Sequence, residues 1–326
     1  AWGANGSGQA GAASGDSCDQ SVACVRAPTR VPGLGGVTAI AASGSHNLAL
    51  MADGGVWAWG ANDDGQLGSG DRCVASGAGC SSATPVRVRG LTDVKAVAAG
   101  GDTNTIAHSL ALRADGTVWA WGSNFHGQLG DGSTTNSAVP VQARGLGGIV
   151  AIAAGDGYSL AVGGNGVVWA WGVNHSGQLG DGVACVTTGL GCVAATPGQI
   201  RGPGRVAAVA AGNGYALARD ADGALWAWGL NDRGQLGDGS TAASRAAVRV
   251  RGLSDAVAMA TGYSYSLALT ADGAVWAWGA NEFGARRAAS DPAAARVATQ
   301  GGGPDPAGRW RGHRPPCWRD RAAGAG

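Results

Sequence analysis

Val118-Trp-Ala-Trp-Gly-Ser-Asn-Phe-His-Gly-Gln-Leu-Gly-Asp-Gly132 is the stretch that decides the fold, because the chain repeats it. Close copies begin at Val56, Val168, Leu225 and Val275, and the chain opens inside another copy at Ala1. The second Trp of the motif returns after about 50 residues or slightly more, which is the length of a one-blade propeller repeat. Such self-similarity predicts a repeat protein.

Each full unit contains four short apolar segments and no helical periodicity. In one unit they read VKAVAAG from Val94, LALRADG from Leu110, VWAW from Val118 and PVQARGL from Pro140. The second and third segments are separated by an Asp-Gly pair, a hairpin signal since both residues tolerate positive φ. Four strands per repeat predict an all-β chain, a β-propeller of four-stranded blades with five full units plus partial units.

The repeat also resembles that of a known family. A Gly, a His or aromatic residue, a Leu-Ala-Leu run, Asp-Gly and then Trp-Gly-x-Asn-x-x-Gly-Gln-Leu-Gly is similar to the regulator of chromosome condensation repeat, over residues 1–284. The resemblance implies a propeller of usually seven blades. We therefore expect an incomplete or truncated seven-bladed ring and a fragment of a longer protein. The Arg and Ala bias favours a bacterial member.

The last 41 residues differ in composition. After Gly284 the motif should continue Gln-Leu-Gly, but the chain reads Ala-Arg-Arg-Ala-Ala-Ser. We expect a propeller over 1–285 and a disordered Arg/Ala/Gly/Pro-rich tail over 286–326, and we hypothesise that the natural reading frame is lost there.

Charge and hydropathy limit the classes of partner. The whole chain carries a net charge of +1; without the eight Arg and three Asp of the tail, 15 basic and 19 acidic residues remain. A domain that binds DNA should be basic, so nucleic acid is disfavoured. There is no apolar run of about 18 residues, so no membrane span is expected.

Six cysteines occur in pairs at one position of the repeat, in segments between the motif Gln and a Pro. These segments are seven residues longer than the cysteine-free version from Gln128 to Pro140. The pairs are Cys18 with Cys24, Cys73 with Cys80, and Cys185 with Cys192. We predict one disulfide per inserted loop, which indicates an oxidising compartment and a secreted, periplasmic or cell-surface protein. Free thiols and zinc are the alternatives; zinc is disfavoured because the pairs lie on units that are not all adjacent.

Candidate partner contacts lie where the repeat varies. The two residues between Asn and Gly of the motif change in charge and size while their neighbours stay constant, and a second candidate is an insertion from Gly101 to Ile106. Variable positions on a constant scaffold are typical of binding surfaces, although plain solvent exposure is the alternative. The candidates are Asp63, Asp64, Phe125, His126, His175, Asp232, Arg233, Asp102 and Asn104.

No catalytic, cofactor or metal site is predicted. His46 and His108 share their repeat slot with Tyr residues, which favours a structural ring over a proton shuttle. The Asp-Gly acids are single turn residues, and a calcium loop needs several oxygen ligands at close spacing. Asp102 and Asp156 are the closest approach to an off-pattern carboxylate pair for a polysaccharide-cleaving enzyme.

The sequence thus favours a non-enzymatic, exported propeller that binds a protein through its loops. Carbohydrate or cell-wall binding through exposed Phe125 and Phe283 is the alternative. The family resemblance adds two less favoured possibilities, a guanine-nucleotide exchange factor and a β-lactamase inhibitor. If the ring is open, its exposed sheet faces predict self-association.

Overall fold

A computed structural model describes residues 1–11, 23–71, 80–101, 106–183, 192–281 and 294–296. These residues form β-strands, turns and loops without helix, so no described segment is a helix that could cross a membrane. The all-β propeller prediction is confirmed: five sheets have four antiparallel strands, and a sixth has two.

The strands follow the chain order within every sheet. The two-stranded sheet comprises β1 (Gly3–Ala4) and β2 (Cys24–Val25). Blade 1 comprises β3 (Val37–Ala42), β4 (His46–Met51), β5 (Val56–Ala61) and β6 (Ser81–Arg87). Blade 2 comprises β7 (Val94–Gly100), β8 (His108–Arg113), β9 (Val118–Gly122) and β10 (Ser137–Gln142).

The same order continues through the rest of the chain. Blade 3 comprises β11 (Ile149–Ala154), β12 (Tyr158–Gly163), β13 (Val168–Val173) and β14 (Val193–Gln199). Blade 4 comprises β15 (Val206–Ala211), β16 (Tyr215–Asp220), β17 (Leu225–Gly229) and β18 (Ser244–Arg249). Blade 5 comprises β19 (Ala256–Thr261), β20 (Tyr265–Thr270), β21 (Val275–Gly279) and β22 (Ala295–Arg296).

The strand boundaries differ from the sequence prediction at two places. The fourth strand of blade 2 begins at Ser137, three residues before the predicted segment at Pro140, and its pairing with β9 has a register shift between Ser137 and Val141. Ala295 and Arg296, inside the predicted tail, pair with Ala277 and Trp276. The other tail residues after 296 lie outside the described residues, so their disorder stays a prediction.

The core lies between blades rather than within one. One cluster joins Leu110, Leu112 and Leu129 of blade 2 to Ile149 and Trp171 of blade 3, and each of the other adjacent blade pairs has a corresponding cluster. This explains the uncharged sequence of the Trp strands, since both faces of a blade are covered by its neighbours.

Each interface also carries a buried hydrogen-bond network. The indole Nε1–H of Trp171 donates to the backbone carbonyl of Gln128 in the preceding blade (2.8 Å), and the hydroxyl of Ser159 donates to the same carbonyl (2.8 Å). The repeated Gln therefore has a structural role, because its carbonyl joins each blade to the next. Equivalent indole bonds join Trp59 to Gln9, Trp121 to Gln66, Trp228 to Gln178 and Trp278 to Gln235.

The His/Tyr slot belongs to these interfaces too. His108 is fully buried and its Nε2 lies 2.9 Å from Ser159 Oγ of the next blade, while Tyr158 donates to the carbonyl of Tyr215. Burial lowers the pKa of His46 to about 3 and that of His108 to about 4, so both rings are neutral. The structural interpretation of this slot is confirmed.

Candidate functional site

One face of the propeller collects the candidate positions. Neighbouring strands are antiparallel, so the first and third strands of every blade end on the same side. We call this side the upper face: it carries the turns after the first strand and the connections after the third strand. The predicted partner-contact positions that the structure describes all belong to these turns and connections.

The connection after the third strand has a fixed backbone. In blade 2, Asn124 Oδ1 accepts from the Leu129 N–H (3.0 Å), and Gln128 Oε1 accepts from the His126 N–H (2.9 Å). Gly127 has a φ of 74°, and a Cβ there would lie 2.6 Å from the Cα of Ala195 in the next blade. The constant motif residues therefore hold the backbone, and the two variable side chains are left at the surface.

The variable side chains differ in exposure. Phe125 is 53% exposed, whereas His126 is half-buried. Asp232 and Arg233 are exposed and form an ion pair at 3.7 Å. Asp63 and His175 are exposed, and Asp64 is half-buried.

Asp64 has the most perturbed carboxyl group of these positions. Its Oδ1 accepts a hydrogen bond from the Asn136 amide at 2.7 Å, which joins blade 1 to blade 2. Partial burial and the neighbouring Asp63 raise the pKa of Asp64 to about 6, although the hydrogen bonds from Ser123 and Asn136 oppose the shift. A cation brought to this side chain would therefore be attracted more strongly above pH 6 than below it.

His126 and His175 come together across two blades. Their ring centroids are 6.4 Å apart and their planes are nearly perpendicular. Burial and the neighbouring His175 lower the pKa of His126. Sequence reasoning selected both residues separately but missed the pair, because they occupy different positions of their turns.

A cavity of about 320 Å³ opens at the centre of the upper face. The turns of all five blades line it, which places it on the propeller axis, and most lining residues are small. Asn213 donates to the Asp156 carboxylate (2.9 Å), and Tyr263 is 63% exposed at the rim. Asp156 lies in the turn after β11, so its carboxylate belongs to this axial cavity.

The described residues that flank the inserted segments lie on the same face. Asp102 and Asn104 lie outside the described residues, but Gly101 before them lines the axial cavity. The backbone N–H of Asn62 donates to the carbonyl of Cys80 (2.6 Å). In blade 2, whose connection has no cysteine, the corresponding N–H of Asn124 donates to the side-chain oxygen of Asn136 (2.8 Å). Cys24 and Cys192 are also described; Cys18, Cys73 and Cys185 are not, so the three pairings stay predictions.

The turns and connections of the upper face are rich in aspartate. In the described part of the chain they contain, with the first residues of the fourth strands, eight aspartates and two arginines. The aspartates are Asp63, Asp64, Asp71, Asp131, Asp156, Asp181, Asp232 and Asp238, and the arginines are Arg233 and Arg245. The side chains of Arg89, Arg144 and Arg251 also reach these connections, next to Gly70, Gly132 and Gly239.

No group of three or more His, Cys, Asp or Glu residues suited to a metal ion occurs in the described part of the chain.

Comparisons with known proteins agree with this architecture. A family model described as RCC1-like domain matches residues 1–299. The chain is 34% identical to human E3 ubiquitin-protein ligase HERC2 over 248 residues, and 37% identical to the Arabidopsis thaliana mitochondrial protein RUG3 over 123 residues. These matches cover 74% and 36% of this chain but only 5% and 25% of the two relatives.

Solved structures show the same fold. Human WBSCR16 superposes with a TM-score of 0.74 at 24% identity, covering 92% of this chain and 76% of that protein. Prp20p of Saccharomyces cerevisiae superposes with a TM-score of 0.62 at 21% identity, covering 92% and 85%. The repeat, the sheet order and the match over most of the chain lead to one conclusion: this chain belongs to the RCC1-like domain family of β-propellers.

Proposed function

We propose that this propeller is a non-enzymatic scaffold that binds a protein through its upper face, and that the segment it binds is basic. The observation that carries the proposal is the aspartate-rich upper face, where variable side chains stand on a hydrogen-bonded backbone around the axial cavity. RCC1-like domains are generally non-catalytic. Prp20p has binding properties to Gsp1p and histones; at 21% identity these partners are not assigned to this chain.

Three features of the face suit a lysine- or arginine-rich segment. Complementary charge speeds association and disfavours acidic competitors. Asp156 places a carboxylate in a cavity whose described lining has no basic residue, so a cationic side chain can enter there. Exposed Phe125 and Tyr263 offer aromatic faces, which attract cations within about 6 Å of the ring centre.

Charge-matched variants test the basic partner. We expect a fluorescent lysine-rich peptide to bind the wild-type chain in low salt. The triple change Asp63→Asn, Asp64→Asn and Asp156→Asn should weaken binding by about tenfold or more, since each close charge pair contributes on the order of 1 kcal/mol or more. Its control, Asp93→Asn with Asp222→Asn and Asp255→Asn, removes the same charge from the opposite side. Equal losses in both variants would reduce the effect to net charge and overturn the proposed face.

The pH dependence of that binding has a defined sign. Because the pKa of Asp64 is raised to about 6, the carboxyl is largely neutral below that pH. We expect peptide affinity to fall as the pH is lowered from 7 to 5, and Asp64→Asn to remove part of this fall. An unchanged pH profile in Asp64→Asn would show that this side chain does not contact the peptide.

Export is part of the proposal and rests on the three cysteine pairs. The cross-linking of these pairs can be measured by the intact mass of the unreduced protein after it is denatured and alkylated. We expect six of the seven cysteines to resist alkylation. If all seven react, the loops are not cross-linked and the export argument fails.

Carbohydrate binding is a second candidate, favoured by the exposed ring of Phe125, since aromatic faces stack on sugars. Phe283, the other predicted sugar contact, lies outside the described residues. Glycan-array binding that disappears in Phe125→Ala would favour this candidate over the protein scaffold. Glycan binding that persists in Phe125→Ala would exclude Phe125 as its contact.

A further inference from the structure

The pair formed by His126 and His175 has the chemistry of a metal-binding site. Imidazole is a ligand that zinc, nickel and copper prefer, whereas calcium and magnesium prefer oxygen ligands. The two rings come from adjacent blades, lie 6.4 Å apart between centroids and are perpendicular at 88°. We propose that His126 and His175 together bind one divalent transition-metal ion on the upper face, with water completing its coordination shell.

The geometry allows this with a small side-chain adjustment. Two imidazole nitrogens that share a zinc ion lie about 3 to 3.4 Å apart, since each zinc–nitrogen bond is about 2.0 to 2.1 Å long. His175 is exposed, and its ring already lies beside that of His126. His126 is packed beside Gly157, where an added Cβ would lie 3.1 Å from its Cδ2 and 3.4 Å from Val173 Cγ1.

The turns position both imidazoles. The Nδ1 of His126 is enclosed and has no hydrogen-bond partner in the described structure, so the proposed metal would bind through Nε2. The backbone of both turns is held by Gln128 and Gln178 through N–H bonds of 2.9 and 2.8 Å.

The rest of the repeat provides an internal comparison. His126 is the second variable residue of its turn, and His175 is the first variable residue of the next turn along the chain. The equivalent pair can therefore be found for other neighbouring turns. The corresponding described pairs are Ser7 with Asp63, Asp64 with Phe125, and Ser176 with Asp232. None of these pairs contains two imidazoles, so we expect one ion per chain.

Calorimetric titration of the unreduced protein with Ni²⁺ at pH 7.5, after alkylation of free thiols, tests the site. We expect one ion per chain in the wild type. His126→Gln and His175→Ala should each lose affinity by about tenfold or more, in line with the loss of a ligand or its support. His313→Ala is the control, because His313 follows the repeats in the sequence and belongs to neither variable turn; this variant should bind like the wild type.

A spectroscopic readout separates ligation from a structural effect. Bound Cu²⁺ should show electron-spin-echo modulation from two imidazoles in the wild type and from one in His175→Ala, whose exposed position leaves the fold intact. Wild-type affinity should also fall between pH 7.5 and 5.5, because protons compete for the same nitrogens. Full nickel affinity in both His variants, or its loss in His313→Ala alone, would overturn the proposal.

Discussion

Equivalent residues on the first strands of blade 3 and blade 1 differ in burial. Ile152 of blade 3 joins the core cluster that it shares with Leu110 and Trp171, on the side facing blade 2. Ile40, the equivalent residue of blade 1, is 76% exposed and lines an apolar cavity of about 600 Å³ beside Trp2. The two-stranded sheet of β1 and β2 corresponds to the third and fourth strands of a blade, so it offers Ile40 no first strand to pack against. The burial of a first-strand side chain therefore depends on the first strand of a neighbouring blade.

The largest expected effect compares two Trp residues at the same motif position. Trp171 is fully buried and bonds to Gln128, whereas Trp2 is 67% exposed. We expect Trp171→Ala to lower the free energy of unfolding by about 3 to 5 kcal/mol, and Trp2→Ala by less than about 1 kcal/mol. Urea denaturation followed by circular dichroism measures both. Equal losses would mean that the two interfaces are equally closed in solution.

The next effect is acid sensitivity of the closed interface. The pKa of His108 is about 4 in the folded protein and about 6.5 when exposed, so the unfolded chain binds more protons between these values. Stability is therefore full above pH 6.5 and falls as the pH drops toward 4, by on the order of 3 kcal/mol for this residue.

The natural replacement provides the comparison. His108→Tyr places in blade 2 the residue that blades 3 and 4 have at this position. This variant should unfold at a more acidic pH than the wild type in an acid titration monitored by circular dichroism. An identical acid midpoint would show that His108 does not set this dependence.

A smaller effect is expected from the two isoleucines. Ile152→Ala should cost about 1 to 2 kcal/mol, because its side chain is partly buried, and Ile40→Ala less than about 0.5 kcal/mol. Thermal unfolding of the two variants side by side measures the difference. If Ile40→Ala costs as much as Ile152→Ala, another part of the molecule covers Ile40 in solution.

The exposed side also sharpens the proposal of self-association. We expect the wild-type chain to show a concentration-dependent mass in light scattering, and Ile40→Lys to reduce it, since a charge on an apolar patch opposes its burial. A monomeric wild type at all concentrations would contradict the proposal.

Much of this architecture follows from the sequence, because the repeat carries local signals. The Asp-Gly turns predict the hairpins, and Asp53 Oδ1 accepts from the Gly55 N–H (2.9 Å) as such turns require. The exchange of His and Tyr at one slot predicts a structural ring. Because neighbouring strands run in opposite directions, the predicted strand order is enough to place the turn after β7 and the turn that contains Phe125 on the same face.

Other features depend on contacts that a single sequence does not encode locally. The bond from Trp171 to Gln128 joins residues in different repeats, and nothing in either motif predicts the partner. The His126–His175 pair depends on how far neighbouring blades rotate about the axis. The early start of β10 accompanies a register shift, which the apolar pattern does not mark.

The bond from indole to carbonyl has a consequence for how such a chain can grow. Each repeat carries the donor on its Trp strand and the acceptor on the Gln that follows it, facing opposite neighbours. A tandem gene duplication of one repeat therefore supplies both halves of a new interface at once, without compensating mutations. The number of blades can change by recombination while every junction keeps the same chemistry.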